Sequence, residues 1–324
     1  MDCFLGNCSL CPQVTELKQH IKEEIEDEAI DEIHYKQWVS TDRSTLETVT
    51  AEVDSFCDRF SEKLIQLKRH EFIADQQAKF LKSELQHGQI IVLGDFSENY
   101  AIVVQDSTQG SHWTNDQATL QPFVIYFKKD SQLLHLNFFV ISNHLTHDTV
   151  AVYCFQQRLH RYLTQTMQVH KMFYFTDGSS AQYKNRKNFA NLTYYKDDFS
   201  LDAERHFFAT SHGKGPCDGL GGTVKRLAAK ASLQRPYEDQ TLNAEQLYSW
   251  AKVNIPGIHF DFVDSSEVQQ CGEFQESRLS SAQGTKQLHA FYPHPEQRTH
   301  IKVKFISKEE NSKSVRVIKF EEAP

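Results

Sequence analysis

The sequence lacks the features that mark several classes of protein. It contains no run of 18 or more apolar residues, so no transmembrane helix is expected. Its first residues lack a basic stretch followed by an apolar one, which argues against a secretory signal. Internal repeats and low-complexity tracts are absent too. The cysteines number seven, an odd count, and are scattered over 324 residues, which predicts reduced thiols in the cytosol or nucleus.

Basic residues are also in the minority. The chain has 35 Lys and Arg against 43 Asp and Glu, a net charge of −8, which argues against a generally basic nucleic-acid binder. The charge is uneven, however: residues 22–32 carry seven acids and one lysine, whereas residues 211–236 carry five Lys or Arg and one Asp. A basic segment on an acidic protein is compatible with a local polyanion site. The alternative is a solvated helix face.

Hydrophobic patterns predict a helical N-terminal region, an α/β core and a β-rich C-terminal part. Apolar residues recur at helical spacing over residues 13–35 and 44–86, and Ser44 with Glu47 suggests a capping box. In the core, apolar or β-branched runs predict strands at 89–96, 122–128, 133–142, 171–176 and 204–211. Helices are expected between and after them, at 146–167, 184–195, 216–233 and 242–254. Three short strands are expected at 287–294, 300–308 and 314–320, after a polar loop at 272–286.

Three aspartates stand where these segments end or begin. Asp95 ends the strand QIIVLGDF, Asp177 follows the strand KMFYFT, and Asp218 lies in the first turn of the helix from residue 216. Carboxylates are the ligands that Mg²⁺ prefers. Two such ions about 3.5–4 Å apart can activate a nucleophile and stabilise a leaving oxygen. Each aspartate alone is more simply a turn or cap residue, but together on this pattern they predict a site for two Mg²⁺ or Mn²⁺ ions.

The order of strands and helices is that of the ribonuclease H-like fold, an α/β arrangement in which helices flank a mixed sheet. We therefore divide the chain into a helical N-terminal region at 1–87, a catalytic core at 88–255 and a β-rich C-terminal extension at 256–324. In this topology the three aspartates would converge at one edge of the sheet.

Four blocks of sequence carry a family resemblance. They are GDFSENY, the Ser-His-Trp at 111–113, TDGSSAQYKN and SHGKGPCDGLGGTVKR. They resemble the catalytic domain of eukaryotic DNA transposases of the DDE/D class, and above all the transposase-derived proteins of animal genomes. The resemblance is strong over roughly 89–235 and weaker outside that range.

This resemblance implies a divalent-metal enzyme that acts on DNA in the nucleus, in DNA transposition and recombination. By position, Asp95, Asp177 and Asp218 would be its three catalytic and metal-binding acids. The third is Asp where many members of the wider class carry Glu. DNA is the expected partner, no membrane is involved, and a homodimer is left open.

Basic residues beside these aspartates are candidate contacts to the DNA backbone. Those in the expected helix after Asp177 and in the segment around Asp218 are Lys184, Arg186, Lys187, His212, Lys214, Lys225 and Arg226. Solvated helix faces and polar loops are the alternatives.

The N-terminal cysteines suggest a second metal. Cys3, Cys8 and Cys11, with His20 as a fourth ligand, could hold Zn²⁺, although only the Cys8-x-x-Cys11 spacing is standard. They could be the remnant of a longer Cys-rich region.

The sequence therefore predicts metal-dependent cleavage of DNA phosphodiesters followed by strand transfer. Two other functions stay open. One is a domesticated, catalytically inactive module that binds nucleic acid or protein, and the overall acidity favours it. The other is a nuclease on the same fold that cleaves without joining ends.

Overall fold

The computed structural model describes residues 8–11, 13–27, 30–40, 44–104, 116–208, 215–236, 239–276, 289–297, 299–304 and 312–317. The chain divides into two units, residues 1–76 and 77–324. Over the described ranges, no helix is both long enough and apolar enough to cross a membrane.

The first unit contains a β-hairpin where the sequence predicted only helix. Helix α1 (Val14–Asp27) is followed by β1 (Glu32–Ser40) and β2 (Ser44–Glu52), and α2 (Val53–Glu84) begins directly after the hairpin. The predicted helices at 13–35 and 44–86 are thus wrong over the two strands. Threonine and valine fill much of residues 45–50, and such β-branched side chains favour a strand over a helix. The predicted capping box is wrong too, since Ser44 pairs with Ser40 and Glu47 with Gln37.

The second unit is built on a ten-stranded mixed sheet. The strands are β3 (Gln89–Gly94), β4 (Ser97–Ala101), β5 (Gln117–Lys129), β6 (Gln132–Ser142), β7 (Lys171–Thr176), β8 (Asp202–Phe207), β9 (Ile258–Val263), β10 (Ala290–Pro293), β11 (His300–Lys304) and β12 (Lys313–Arg316). Their order is β12-β11-β10-β8-β7-β3-β5-β6-β9, and β4 pairs with β5. In the centre, β5 is antiparallel to β3 and β6, whereas β7 and β8 run parallel to β3. This is the predicted ribonuclease H-like sheet.

Helices cover both faces of the sheet. Helices α3 (Thr149–Thr166) and α4 (Arg186–Phe199) pack on the face that includes Ile90 and Val92. Helices α5 (Pro216–Gln234) and α6 (Ala244–Asn254) pack on the other face, and α7 (Ser265–Glu276) follows β9. Successive side chains of β3 point to opposite faces of the sheet, so its buried residues are divided between two cores.

Local signals in the sequence set several boundaries of these elements. Asp148 and Asn185 begin α3 and α4, and their side chains accept hydrogen bonds from backbone N–H groups three residues on. The hairpin between β5 and β6 turns on Asp130 and Ser131, whose φ angles of 50° and 64° suit the two-residue turns that match strand twist.

The C-terminal part belongs to the same sheet as the core. Strand β9 pairs in parallel with β6, and β10 pairs antiparallel with β8. The sequence predicted neither β4 nor β9, and α7 extends to Glu276, into the range predicted as a loop. Strand β4 is short and mostly polar, which leaves it little hydrophobic signal. The alternation of β9, IHFDFV, was a signal that could have revealed it.

Helix α5 is held close to the sheet at Gly221. A Cβ atom built on Gly221 would lie 2.0 Å from the Ser97 Oγ and 3.3 Å from the Ser97 Cβ. Gly222, the next residue in α5, has open space around the same position. The absence of a side chain at Gly221 therefore sets how near α5 comes to the start of β4.

This contrast predicts opposite effects for two matched substitutions. We expect Gly222→Ala to raise the free energy of unfolding by about 0.5–1 kcal/mol, because alanine is the better helix former. We expect Gly221→Ala to lower it by about 1–3 kcal/mol, because Ser97 and α5 must move apart. Urea denaturation of both variants measures the difference. Equal stabilisation by the two would contradict the close approach.

Candidate active site

The parallel pairing of β3 with β7 places two of the predicted aspartates side by side. The register joins Leu93 to Phe175, and Asp95 and Asp177 each lie two residues beyond that pair. Neighbouring strands lie about 4.8 Å apart. Leu93 and Phe175 both belong to the core beneath α5, and the alternation of a strand points residues two apart to the same face. Asp95 and Asp177 therefore leave the sheet on the face that α5 covers.

Helix α5 carries the third aspartate to the same place. The Cys217 thiol is buried beneath its first turn and donates to the Leu93 carbonyl over 3.5 Å. Asp218, the next residue, is exposed. One buried side chain thus fixes the start of α5 against the end of β3, two residues before Asp95.

Two of the carboxylates act electrostatically on the third, Asp95. Burial raises the pKa of Asp95 to about 7, and the charges of Asp177 and Asp218 add to this effect. Burial also raises the pKa of Asp177, against a hydrogen bond from the Ser179 backbone that lowers it. Carboxylate oxygens are the donor set that suits a hard divalent cation, so the residue types fit Mg²⁺ or Mn²⁺.

Backbone N–H groups also act on all three carboxylates, and that of Phe96 lowers the pKa of Asp95. Asp177 Oδ1 accepts from the Ser179 N–H at 3.1 Å, and Asp218 Oδ2 accepts from the Gly215 N–H at 3.2 Å. Within the part of the chain that the structure describes, no group of three or more His, Cys, Asp or Glu side chains is arranged to hold a metal ion. A cation that bound here would compete with these backbone hydrogen bonds.

Two buried polar side chains, Tyr183 and Gln121, are bonded to each other near the aspartates, and sequence patterns assigned no role to either. Tyr183 is 2% exposed, and its hydroxyl donates to Gln121 Oε1 at 3.3 Å. Burial raises the pKa of Tyr183 well above its usual value, and the charges of Asp95 and Asp177 raise it further. The hydroxyl is therefore neutral. Its place in the block QYKN was the signal that could have pointed to it.

The loop after Asp95 is held by a second set of polar contacts. Asn99 Oδ1 is bonded to His147 Nε2 at 2.6 Å and accepts from the Thr119 hydroxyl at 3.0 Å. The His147 ring stacks on Phe96, with centroids 4.4 Å apart. These contacts tie the block GDFSENY to the segment that leads into α3, so His147 has a positioning role in the fold.

The predicted DNA contacts after Asp177 lie at the start of α4. Lys184 is half-buried, with its Nζ 5.2 Å from the centre of the Phe207 ring, and burial lowers its pKa to about 8. Arg186 and Lys187, in the first turn of α4, line a cavity of about 320 Å³ together with Ser180 and Asp148.

The other predicted DNA contacts lie on α5 or just before it. Arg226 is exposed, whereas Lys225 is partly buried in the field of Glu98. His212 and Lys214 lie outside the described residues, as does the Ser-His-Trp at 111–113.

The predicted zinc ligands lie in the first unit. Cys8 and Cys11 form a turn in which the Cys11 N–H donates to the Cys8 carbonyl at 3.4 Å. His20 is exposed on α1. Cys3 lies outside the described residues. The residues that are described there contain no three-ligand group for a metal.

Two family comparisons divide the chain near the boundary between its units. A family described as "Domain of unknown function (DUF8701)" matches residues 75–307, and one described as "Domain of unknown function (DUF8700)" matches residues 1–68. No curated protein matches the chain.

Solved structures show only distant likeness. A crystal structure of NurA bound to dAMP and manganese is 11% identical, with a TM-score of 0.14, over 43% of this chain and 33% of that one. A second NurA crystal structure is 11% identical, with a TM-score of 0.16, over 79% and 51% of the two chains. This chain spans a third to a half of those structures, and TM-scores this low carry no argument.

The raised pKa of Asp95 predicts how stability depends on pH without metal. The folded state binds a proton at Asp95 up to about pH 7, whereas the unfolded state releases it near the usual pKa of 3.8. Stability from this group is therefore full below about pH 4 and is lost as the pH rises to 7. Each unit of difference between the folded and unfolded pKa corresponds to about 1.4 kcal/mol, so the free energy of unfolding falls by up to about 4 kcal/mol.

Substitution of Asp95 tests this dependence. We expect Asp95→Asn to raise the melting temperature in EDTA at pH 8 by several degrees, because the amide removes a buried charge, and to change it little at pH 4. Asp202→Asn, at the opposite end of the parallel strands, serves as the control for loss of an aspartate. An identical response of the two variants at both pH values would show that Asp95 is not crowded by charge.

Proposed function

The chain belongs to the DUF8701 family, and we propose that it cleaves DNA phosphodiesters and transfers strands at Asp95, Asp177 and Asp218. One observation carries the proposal: Asp95, at the end of β3, is half-buried in the field of the Asp177 and Asp218 carboxylates, which follow β7 and begin α5. Burial beside like charges disfavours the ionised form of Asp95 when no ligand is bound. A divalent cation would provide a counter-charge.

Each residue has a definite part in this proposal. Asp95 and Asp177 would hold the cations from neighbouring strands, and Asp218 would hold one from α5. When bound, the cations would activate a water or a DNA 3′-hydroxyl and stabilise the leaving oxygen. The neutral Tyr183 and Gln121 would form the floor of the site and keep the carboxylates oriented.

Strand transfer and a nuclear location rest on the sequence blocks that resemble those of transposases. The blocks GDFSENY, TDGSSAQYKN and HGKGPCDG contain or adjoin the three aspartates. The geometry of the carboxylates suits cleavage equally in a nuclease, so the joining of ends is the finer part of the proposal and needs its own assay.

A catalytically inactive binding module is the second candidate. It is favoured by the absence of a ready three-ligand group among the described residues and by the backbone hydrogen bonds of Asp177 and Asp218. In that case the same surface would bind nucleic acid without cutting it.

A single substitution tests the catalytic proposal. We expect Asp177→Asn to reduce Mn²⁺- or Mg²⁺-dependent cleavage of labelled DNA by at least about 10³-fold, because the amide keeps the shape but loses the charge that binds the cations. Thermal unfolding in EDTA should show equal or higher stability for the variant. Asp202→Asn should cleave like the wild type.

The products separate the three functions. Joined strands support a transposase, whereas shortened strands without joining indicate a nuclease. A folded wild-type protein that binds DNA but cuts nothing with either cation would support the inactive module. Unchanged cleavage by folded Asp177→Asn would remove this residue from the mechanism.

The basic residues at the start of α4 predict salt-dependent DNA binding. Reversal of Arg186 and Lys187 to Glu should flatten the plot of log affinity against log salt by about 0.9 for each DNA phosphate that the variant no longer neutralises. The matched control reverses Lys129 and Lys196, which are exposed at the other end of the central strands. Equal slopes for the two double variants would show that Arg186 and Lys187 are only a solvated surface.

A further inference from the structure

Helix α7 packs along α3, on the side of the second unit away from α5. Arg158 of α3 forms an ion pair with Glu267 of α7. A Cβ built on Gly272 would lie 3.4 Å from the Val150 Cγ1, so the two helices approach closely there. These contacts hold the segment after β9 against the core that includes α3.

Two cysteines face each other at this contact. Cys154 of α3 is 2% exposed and belongs to the hydrophobic core, and the half-buried Cys271 of α7 packs against that core. The two thiols are close enough for each to shift the pKa of the other. The Cys271 thiol also lies 3.4 Å from Gln157 Oε1.

A cavity beside the two cysteines gives small molecules access to the half-buried Cys271. A cavity of about 350 Å³ opens between the helices and is lined by both cysteines together with Tyr153, Gln157, Arg158 and Phe274. The neighbouring Cys154 thiol, with help from the Arg158 charge, lowers the pKa of Cys271. A lower pKa gives more thiolate, which is the form that reacts with oxidants.

We propose that Cys154 and Cys271 are a redox modification site and form a reversible disulfide that fastens α7 to α3. The proposal is independent of the function of the three aspartates. Disulfides of proteins in reducing compartments are usually transient and redox-sensing, and a pair of this kind matches that behaviour.

Oxidation of the pair by a peroxide takes two steps. The Cys271 thiolate attacks one oxygen of hydrogen peroxide, the O–O bond breaks, and Cys271 becomes a sulfenic acid while hydroxide leaves and takes up a proton as water. The Cys154 sulfur then attacks the Cys271 sulfur, the S–O bond breaks, and a second water leaves with the Cys154 proton. Two thiols are oxidised by two electrons, and one peroxide is reduced.

Mass spectrometry of the full chain tests the proposal. We expect protein treated with hydrogen peroxide and then alkylated to give one cross-linked peptide pair containing Cys154 and Cys271, which dithiothreitol abolishes. The melting temperature of the oxidised protein should rise by about 5–10 °C, because the bond closes a long loop. Cys57→Ser, which removes a buried thiol of the first unit, should keep both effects.

Single substitutions at the pair should remove both effects. Cys271→Ser is the main variant, because its half-buried side chain tolerates exchange better than Cys154 does. Oxidation of Cys271 to sulfinic acid while Cys154 stays open to alkylation would overturn the proposal, as would a cross-link to another cysteine. A Cys154–Cys271 bond with no rise in melting temperature would overturn the fastening of α7.

Discussion

The parallel pairing of β3 with β7 is the constraint on which the candidate site depends. A slip of one residue in this register would turn one of Asp95 and Asp177 to the opposite face of the sheet. Two separate cores prevent the slip, because Ile90, Val92 and Met172 lie on one side while Ile91 and Phe173 lie on the other. Hydrophobic packing therefore holds two charged groups together that repel each other.

The site also depends on α5, which reaches it from far along the chain. Its first turn is fixed by the buried thiol of Cys217, and its next turn comes close to Ser97 because Gly221 has no side chain. Burial, together with the charges of Asp177 and Asp218, raises the pKa of Asp95, so ionised Asp95 costs stability in the metal-free protein. Sites in which a protein maintains such strain are often functional, and the surrounding contacts of Tyr183 and Asn99 keep the arrangement rigid.

Local patterns predicted most of the central elements but not the additions to them. The strand at 171–176 was predicted to the residue, and the hairpin of β5 and β6 to within a few residues, because buried runs and turn residues carry strong local signals. The N-terminal hairpin was predicted as helix, because the spacing of its apolar residues fitted the period of a helix as well as that of a strand. Only the pairing of the two strands decides between the two structures. Strand β4 was missed because its pairing with β5 is long-range.

The sequence by itself determined which residues are the candidates for the chemistry. It marked Asp95, Asp177 and Asp218 through their positions at the ends and starts of patterned segments. Tertiary structure alone decided which distant residues meet: that Lys184 is half-buried over Phe207, that Tyr183 bonds to Gln121, and that Cys154 meets Cys271 across two helices. These are contacts between residues distant in the chain. Periodicity within one segment cannot specify them, because they depend on how packed elements meet.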